Sequence, residues 1–359
     1  MKTKMPGWFK SLLTPLGVLA SGIYGLGVFL RLVLYRLGLL PVHRLPLSVI
    51  SIGNLVVGGT GKTPHTALIA DHFRRRGRKV VILSRGYGGE RSTPGAVISS
   101  PEQIIGTIQE GGEEPFWLAE HLPGVAVVIG KNRYQAGLLS RERWGVDLAI
   151  LDDGYQHVGL EREADILLIS AHQPFGAGGL LPLGTLREPR KQIKRADVVI
   201  ISHTEMITAR EESALEGQVK ALHPEVPVFF SRHVPQGVWK YPQGQSRPLS
   251  WLKGKRVLAF CGLGQPESFR YSLKTLEVEL VGLKPFRDHR VYQEKDKHRL
   301  LEEAASLKAE VLMTTEKDAL KLGNWPEGRA ELLVLAIGVE IPDSYFWEVL
   351  ESKIYPKIF

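Results

Sequence analysis

The sequence predicts an α/β protein: a mostly parallel sheet with helices on both faces, a smaller C-terminal α/β domain, and an apolar N-terminal helix. Three observations carry this. After Pro41, short runs rich in Val, Ile and Leu alternate with stretches whose apolar residues recur every three to four positions. Several runs are apolar throughout, as strands buried on both faces are. One of them opens directly into a glycine-rich loop and then a helix.

At 359 residues the chain exceeds one small core, and two domains are expected. Residues 1–40 form an N-terminal segment, 41–232 the larger core and 255–359 the smaller domain. Between the last two, residues 233–254 read as a linker or short hairpin, marked by Pro235, Gly237, Pro242, Gly244 and Pro248. Strands are expected in the core at 47–51, 79–84, 125–129, 147–151, 165–170 and 197–202. The helices between them fall at 63–76, 114–122 and 132–144. In the smaller domain the strand signal returns at 256–261, 311–315 and 332–337, with helices at 267–277, 294–308 and 345–353. The single cysteine, Cys261, excludes an internal disulfide and a multi-cysteine metal site, and fits a reducing, cytoplasmic compartment.

The net charge of +8 is unevenly placed. No acidic residue precedes Asp71, whereas Lys2, Lys4, Lys10, Arg31, Arg36 and Arg44 flank or punctuate a charge-free stretch from Ser11 to Leu30. Its length approaches the roughly 20 residues that span a bilayer. A cleaved leader would export the nucleotide site described next, and a buried core helix has the same apolarity. Pro15, Gly17, Gly22, Gly25 and Gly27 weaken an ideal spanning helix. The pattern favours a helix lying in or dipping into the inner leaflet, with its basic residues at anionic headgroups.

Residues Gly58-Gly59-Thr60-Gly61-Lys62-Thr63 follow a strand and open a helix, the context a phosphate-binding loop requires. Glycines let backbone N–H groups converge on phosphate oxygens, and the helix N-terminus adds its positive end. Lys62 is expected to reach the β- and γ-phosphates of ATP and Thr63 to ligate Mg²⁺. The loop is a variant: Val56, followed by Val57, stands where the strict pattern has glycine. The run 147–151 leads into Asp152-Asp153-Gly154, and Asp152 or Asp153 is expected to hold Mg²⁺ through its water shell. Alone, such a triplet is a solvated turn; paired with the loop upstream, it reads as a metal site. The fold class is thus of the P-loop NTPase type.

Six segments in order resemble one family: Val57 to Pro64, Ser84 to Gly89, Leu151 to His157, Leu181 to Pro189, Phe286 to His289 and Thr315 to Asp318. Together they are similar to the tetraacyldisaccharide 4′-kinase family of Gram-negative bacteria. The resemblance implies an ATP- and Mg²⁺-dependent transferase of lipid A (lipopolysaccharide) biosynthesis. It would phosphorylate the 4′-hydroxyl of a tetraacylated disaccharide 1-phosphate at the cytoplasmic face of the inner membrane. The implied partners are this lipid A disaccharide precursor and the inner membrane surface, with no nucleic acid and no obligatory protein partner.

The substrate contacts that follow from the resemblance are Arg85, Tyr87, Arg133 and Gln156, with Lys131, Arg187 and Arg190 as further basic candidates for the headgroup. Each basic side chain reads equally as a solvated surface charge, and Tyr87 as a turn residue. The family places a base in a Gly-Asp-Glu-Pro segment, paired with the histidine of the Phe286-to-His289 motif. Here that segment is Gly112-Glu113-Glu114-Pro115, so Glu113 replaces the expected aspartate. Glu113 is therefore expected as the base, His289 as its partner and Glu114 as a support of the metal. The alternative is an acidic first turn that stabilises a helix. Because Glu113 and His289 fall in different domains, closure about the segment 233–254 is expected.

Two other classes compete. A membrane-associated ATPase switch of the partitioning type also uses variant loops, but such proteins commonly add a lysine where Val56 and Val57 stand. A nucleic-acid module is suggested by the basic run from Arg74 to Lys79, yet no aromatics interleave with it.

Overall fold

The structure, a computed structural model, describes residues 7–86, 95–242, 244–287, 290–326, 328 and 330–355, with side chains from Pro15 onward. It divides into two compact units. One comprises Met1–Ser202, Ile207–Phe230 and Pro342–Phe359, and the other His203–Met206 and Ser231–Ile341.

The first unit runs α1 (Gly7–Arg36), β1 (Ser48–Asn54), α2 (Lys62–Arg75), β2 (Val80–Ser84), β3 (Ala96–Ser99), α3 (Ile108–Gly111) and α4 (Glu113–His121). It continues through β4 (Ala126–Ile129), α5 (Arg133–Trp144), β5 (Leu148–Asp152), β6 (Ala164–Ser170), β7 (Val198–Ser202), α6 (Ala209–Leu222) and β8 (Val228–Phe230). The strand order is β3-β4-β2-β5-β1-β6-β7-β8, with every neighbour parallel except the edge strand β3. The unbroken apolar runs predicted to be strands are the central ones: all five residues of β2, β5 and β7 are buried. The expected α/β class and mostly parallel sheet are thus borne out. Register decides where chemistry gathers. Ile52 of β1 pairs with Asp152 of β5, so the loops leaving both strands start side by side at their carboxyl ends.

α1 has an exposed apolar side and a docked side. Leu19, Ile23, Leu26 and Phe29 are each more than half exposed. Within Pro15–Arg36 an 18-residue window has a mean hydropathy of 1.8 and is 6% buried; by length and composition this helix could cross a membrane. On the docked side, a Cβ on Gly25 would lie 2.9 Å from Leu180 Cδ1 and one on Gly17 3.3 Å from Leu183 Cδ1. With Ser21, whose hydroxyl donates to Leu180 O (2.9 Å), these residues recur every four positions, which keeps one face of α1 narrow.

The second unit holds β9 (Arg232–Lys240), β10 (Gln245–Arg247), β11 (Arg256–Cys261), α7 (Pro266–Thr275), β12 (Glu279–Pro285), α8 (Glu294–Ser306), β13 (Val311–Thr315), α9 (Glu316–Ala319) and β14 (Glu331–Glu340). Its sheet runs β10-β9-β14-β13-β11-β12, parallel from β14 to β12 and antiparallel from β10 to β14.

Two expected boundaries change. Of the two readings of residues 233–254, the structure shows the hairpin, β9–β10 with the turn beyond it, and makes it integral to the second sheet and not a linker. Pro235 and Gly237 suggested a loop, but they flank a register shift, opposite Ile337 and Ala336, where an unpaired residue lets a proline stand in a strand. The stretch 342–359 belongs to the first unit, not the second. Its helix α10 (Tyr345–Ile354) stacks Trp347 on His72 (3.8 Å between ring centres) and sets Phe346 edge-on to Phe229 (5.2 Å). Lys353 pairs with Asp197 at 2.7 Å.

Gly53 tests how tightly the central strands are packed. A Cβ there would lie 2.7 Å from both Cβ and the backbone nitrogen of the fully buried Tyr155. Gly53→Ala is expected to cost about 1–3 kcal/mol of stability. Thermal unfolding followed by circular dichroism reads this directly; an unchanged midpoint would mean that Tyr155 moves aside freely.

Candidate functional site

The glycine loop lies between β1 and α2 and is held at both ends. Asn54, the last residue of β1, donates from Nδ2 to Thr60 Oγ1 (2.8 Å), and Ser202 at the end of β7 donates to Thr60 O (3.0 Å). Gly61 caps α2 in the left-handed region (φ 76°), which glycine enters without the Cβ penalty. Its carbonyl lies 2.6 Å from His65 Nδ1. Between these anchors, Gly58 and Gly59 are exposed, with no atom beyond their chain neighbours within 4 Å of where a Cβ would sit.

Val56 explains the departure from the strict pattern. It is buried and forms an antiparallel bridge with Leu186, flanked by Val57 N to Thr185 O (2.8 Å) and Arg187 N to Leu55 O (2.7 Å). The loop therefore begins as a short extended pairing with residues 185–187, where a valine fits and a glycine is not required.

Lys62 opens α2 and reaches Asp153 Oδ1 at 3.7 Å. Arg187 Nη1 donates to both Asp153 oxygens (2.9 and 2.8 Å) and lies 3.3 Å from Gln156 Oε1, while Gln156 Nε2 donates to Asn54 O (2.9 Å). Burial pushes the Asp153 carboxyl up, but the cations Lys62, Arg187 and Arg133 outweigh it and hold it below the ordinary value. Asp152 lies deeper. It accepts from Thr66 Oγ1 (3.2 Å) and Ser84 Oγ (3.3 Å), and burial, with the charges of Glu114 and Asp153, raises it from 3.8 to about 7.

Arg133, the first residue of α5, is buried, and its Nε has no hydrogen-bond partner among the described residues. Burial and the charge of Arg85 lower its pKa, which Asp152 and Asp153 partly offset. His157 is pushed down to about 4 by burial and by Arg133, Arg162, Arg31 and Arg85, so its ring is neutral at physiological pH. Glu113 and Glu114 form the first turn of α4, behind the positive-φ cap Gly112, and Glu113 Oε2 is shielded from solvent.

Of the expected site residues, the structure gathers the loop 56–63, Asp152, Asp153, Glu114, Arg85, Arg133 and Gln156 into one electrostatic neighbourhood. Arg187 is engaged with Asp153 and does not stand free for a headgroup. Tyr87 and His289 lie outside the described residues. The Thr315-to-Asp318 motif of the second unit is scaffold. Its buried Asp318 accepts from Gly262 N, from Tyr292 Oη (2.9 Å) and from Thr315 Oγ1 (2.7 Å). Asn54, Thr66 and Ser202 are not marked in the sequence, where nothing distinguishes single polar residues at strand ends and one turn into a helix; Ser84 opens one of the six segments but had no role assigned to it.

Among the described residues, no three His, Cys, Asp or Glu converge as a self-sufficient metal site. The donor chemistry nonetheless fits Mg²⁺, which keeps several waters and takes one or two carboxylates beside substrate phosphates. Asp152, raised to about 7 by burial and by neighbouring carboxylates, is a group whose ionised form a divalent cation would compensate.

A family model described as Tetraacyldisaccharide-1-P 4′-kinase matches residues 9–355. A tetraacyldisaccharide 4′-kinase of Geobacter metallireducens is 41% identical over 300 residues, 84% of this chain and 86% of that protein. Another from Pelobacter propionicus is 41% identical over 91% of this chain and 87% of its own. The crystal structure of LpxK from Aquifex aeolicus in complex with ATP aligns with a TM-score of 0.72 and 30% identity, covering 97% of this chain and 100% of that one.

The state of Asp152 has a measurable sign. Its folded pKa of about 7 lies above its ordinary 3.8, so the stability contributed by the bound proton is full below 3.8 and lost as pH rises through 7. Without nucleotide or divalent cation, Asp152→Asn is expected to unfold at a higher temperature than the parent at about pH 8 and at a similar one at about pH 4. Calorimetry that finds no gain at the higher pH would contradict the assigned protonation.

Proposed function

Because this chain belongs to the tetraacyldisaccharide-1-P 4′-kinase family, we propose that it transfers the γ-phosphoryl group of ATP to the 4′-hydroxyl of tetraacyldisaccharide 1-phosphate in lipid A biosynthesis. The observation that carries the reading is the site on the first sheet. A glycine loop and Lys62 at the start of α2 stand beside Asp152 and Asp153 at the end of the register-matched strand β5.

Each group then has a role. The loop amides and the N-terminus of α2 receive the phosphates, and Lys62, held by Asp153 until nucleotide arrives, neutralises the β- and γ-oxygens. Thr63 and Asp152, supported by Glu114, would hold Mg²⁺, while Asp153 keeps Lys62 and Arg187 in place. A bound Mg²⁺ supplies charge neutralisation across the phosphates. Arg133 presents a buried guanidinium, and with Arg85 it suits an anionic group of nucleotide or lipid. Gln156 and Tyr87 are assigned to the sugar side. Glu113, at the N-terminus of α4, takes the proton from the 4′-hydroxyl, and His289 assists it.

The lipid substrate gives α1 a purpose. Its exposed apolar side, followed by Arg36 and Arg44, suits seating at the cytoplasmic face of the inner membrane, where the acyl chains stay in the bilayer, whereas Arg31 is engaged by Glu188. No obligatory protein partner enters this scheme.

The test is transfer of label from [γ-³²P]ATP to the lipid disaccharide. Lys62→Ala is expected to lower turnover by roughly 10²–10³-fold. Glu113→Gln is expected to lower kcat by about 10²–10⁴-fold, with Glu113→Asp retaining more activity. Near-parental turnover of Lys62→Ala would sink the phosphate-loop role, and near-parental turnover of Glu113→Gln would remove Glu113 as the base.

A further inference from the structure

We infer that Arg31 of α1 and the buried Glu188 form a positioning pair through which docking of the apolar helix and gripping of the nucleotide are energetically coupled. This rests on the reading of residues 58–63 as the nucleotide site. Glu188 is fully buried, and a carboxylate without water must find partners for both oxygens. Here one partner comes from each side: Arg31 Nη2 to Oε1 at 3.0 Å and Arg195 Nη2 to Oε2 at 2.7 Å. Half of the compensation of a buried charge is thus supplied by a helix whose opposite side is apolar and exposed.

From this pair two short routes reach the loop. Glu188 follows Arg187, whose carbonyl accepts from Tyr24 Oη of α1 (2.9 Å), whose amide pairs with Leu55 and whose guanidinium holds Asp153 beside Lys62. The second route runs through Gln156. Its carbonyl accepts from Arg31 Nη1 (3.3 Å), and its side chain donates to Asn54 O, next to the bond that fixes Thr60. Arg31 makes neither of the loop-side bonds itself, so it acts through these groups. If undocking α1 leaves Glu188 half-compensated and slackens residues 185–188, the phosphate loop loses preorganisation. By reciprocity, bound nucleotide must tighten α1 onto the same segment.

The experiment uses the full chain in detergent micelles with the ATP analogue AMP-PNP and Mg²⁺. Arg31→Gln is expected to raise the Kd for AMP-PNP by about tenfold while the KM for the lipid disaccharide stays within about threefold; Arg31→Lys restores most of the affinity. On the unaltered chain, AMP-PNP is expected to slow hydrogen exchange across residues 15–36, an effect lost in Arg31→Gln. The exchange measurement needs no variant to fold. Unchanged AMP-PNP affinity in Arg31→Gln overturns the inference, as does a rise confined to the lipid KM, which would make Arg31 a headgroup ligand. Exchange in α1 that ignores nucleotide also overturns it. Failure of the unaltered chain to bind AMP-PNP at all would instead remove the nucleotide site on which the inference rests.

Discussion

The contact between Arg187 and Asp153 is the interaction on which the site depends. One guanidinium nitrogen holds both carboxylate oxygens, and the same carboxylate faces Lys62. The cationic partners hold Asp153 below its ordinary value against burial, while at Asp152, one residue away, burial and the charges of Glu114 and Asp153 outweigh Lys62 and raise the carboxyl. Adjacent carboxylates are thereby given different work, one as an anchor for cations and one as a group awaiting a cation. The arrangement also fixes the entrance of the loop, because the backbone of Arg187 pairs with Leu55.

Much of the fold was legible in the sequence because its central strands are apolar on both faces. Runs such as Leu148–Asp152 and Val198–Ser202 needed no partner to be recognised. What escaped depends on partners. β3 is a four-residue antiparallel edge strand and β8 has three residues, too short for periodicity to mark. The β9–β10 hairpin was one of two readings of its segment, but its place in the sheet was hidden by Pro235 and Gly237, since a bulge and a loop use the same residues. α6, which buries Leu215 and Val219 and packs Leu222 beside them, was also missed.

The site divides similarly. Lys62, Asp152 and Asp153 were legible because a contiguous motif and a strand end announce them. Thr66, Ser84, Asn54 and Ser202 come from four separate elements and meet only through sheet register. Arg187 was read as a headgroup ligand because charge alone does not reveal whether a cation faces a substrate or a neighbouring carboxylate. Val56 looked like a flaw in the loop and is instead the residue by which it is paired to Leu186.

The placement of α10 has a consequence for how the molecule is made. Its seat, around His72 and Phe229, is complete when β8 has been synthesised, but the stretch Ser231–Ile341, most of the second unit, intervenes before Tyr345 arrives. At roughly 5–20 residues per second, that interval is on the order of ten seconds on the ribosome. For that time the nascent chain displays aromatic surface that only its own later segment covers, while α1 has long since emerged. A ribosome stalled within the second unit therefore yields a finished first sheet with a bare flank, the kind of surface that chaperones and proteases inspect.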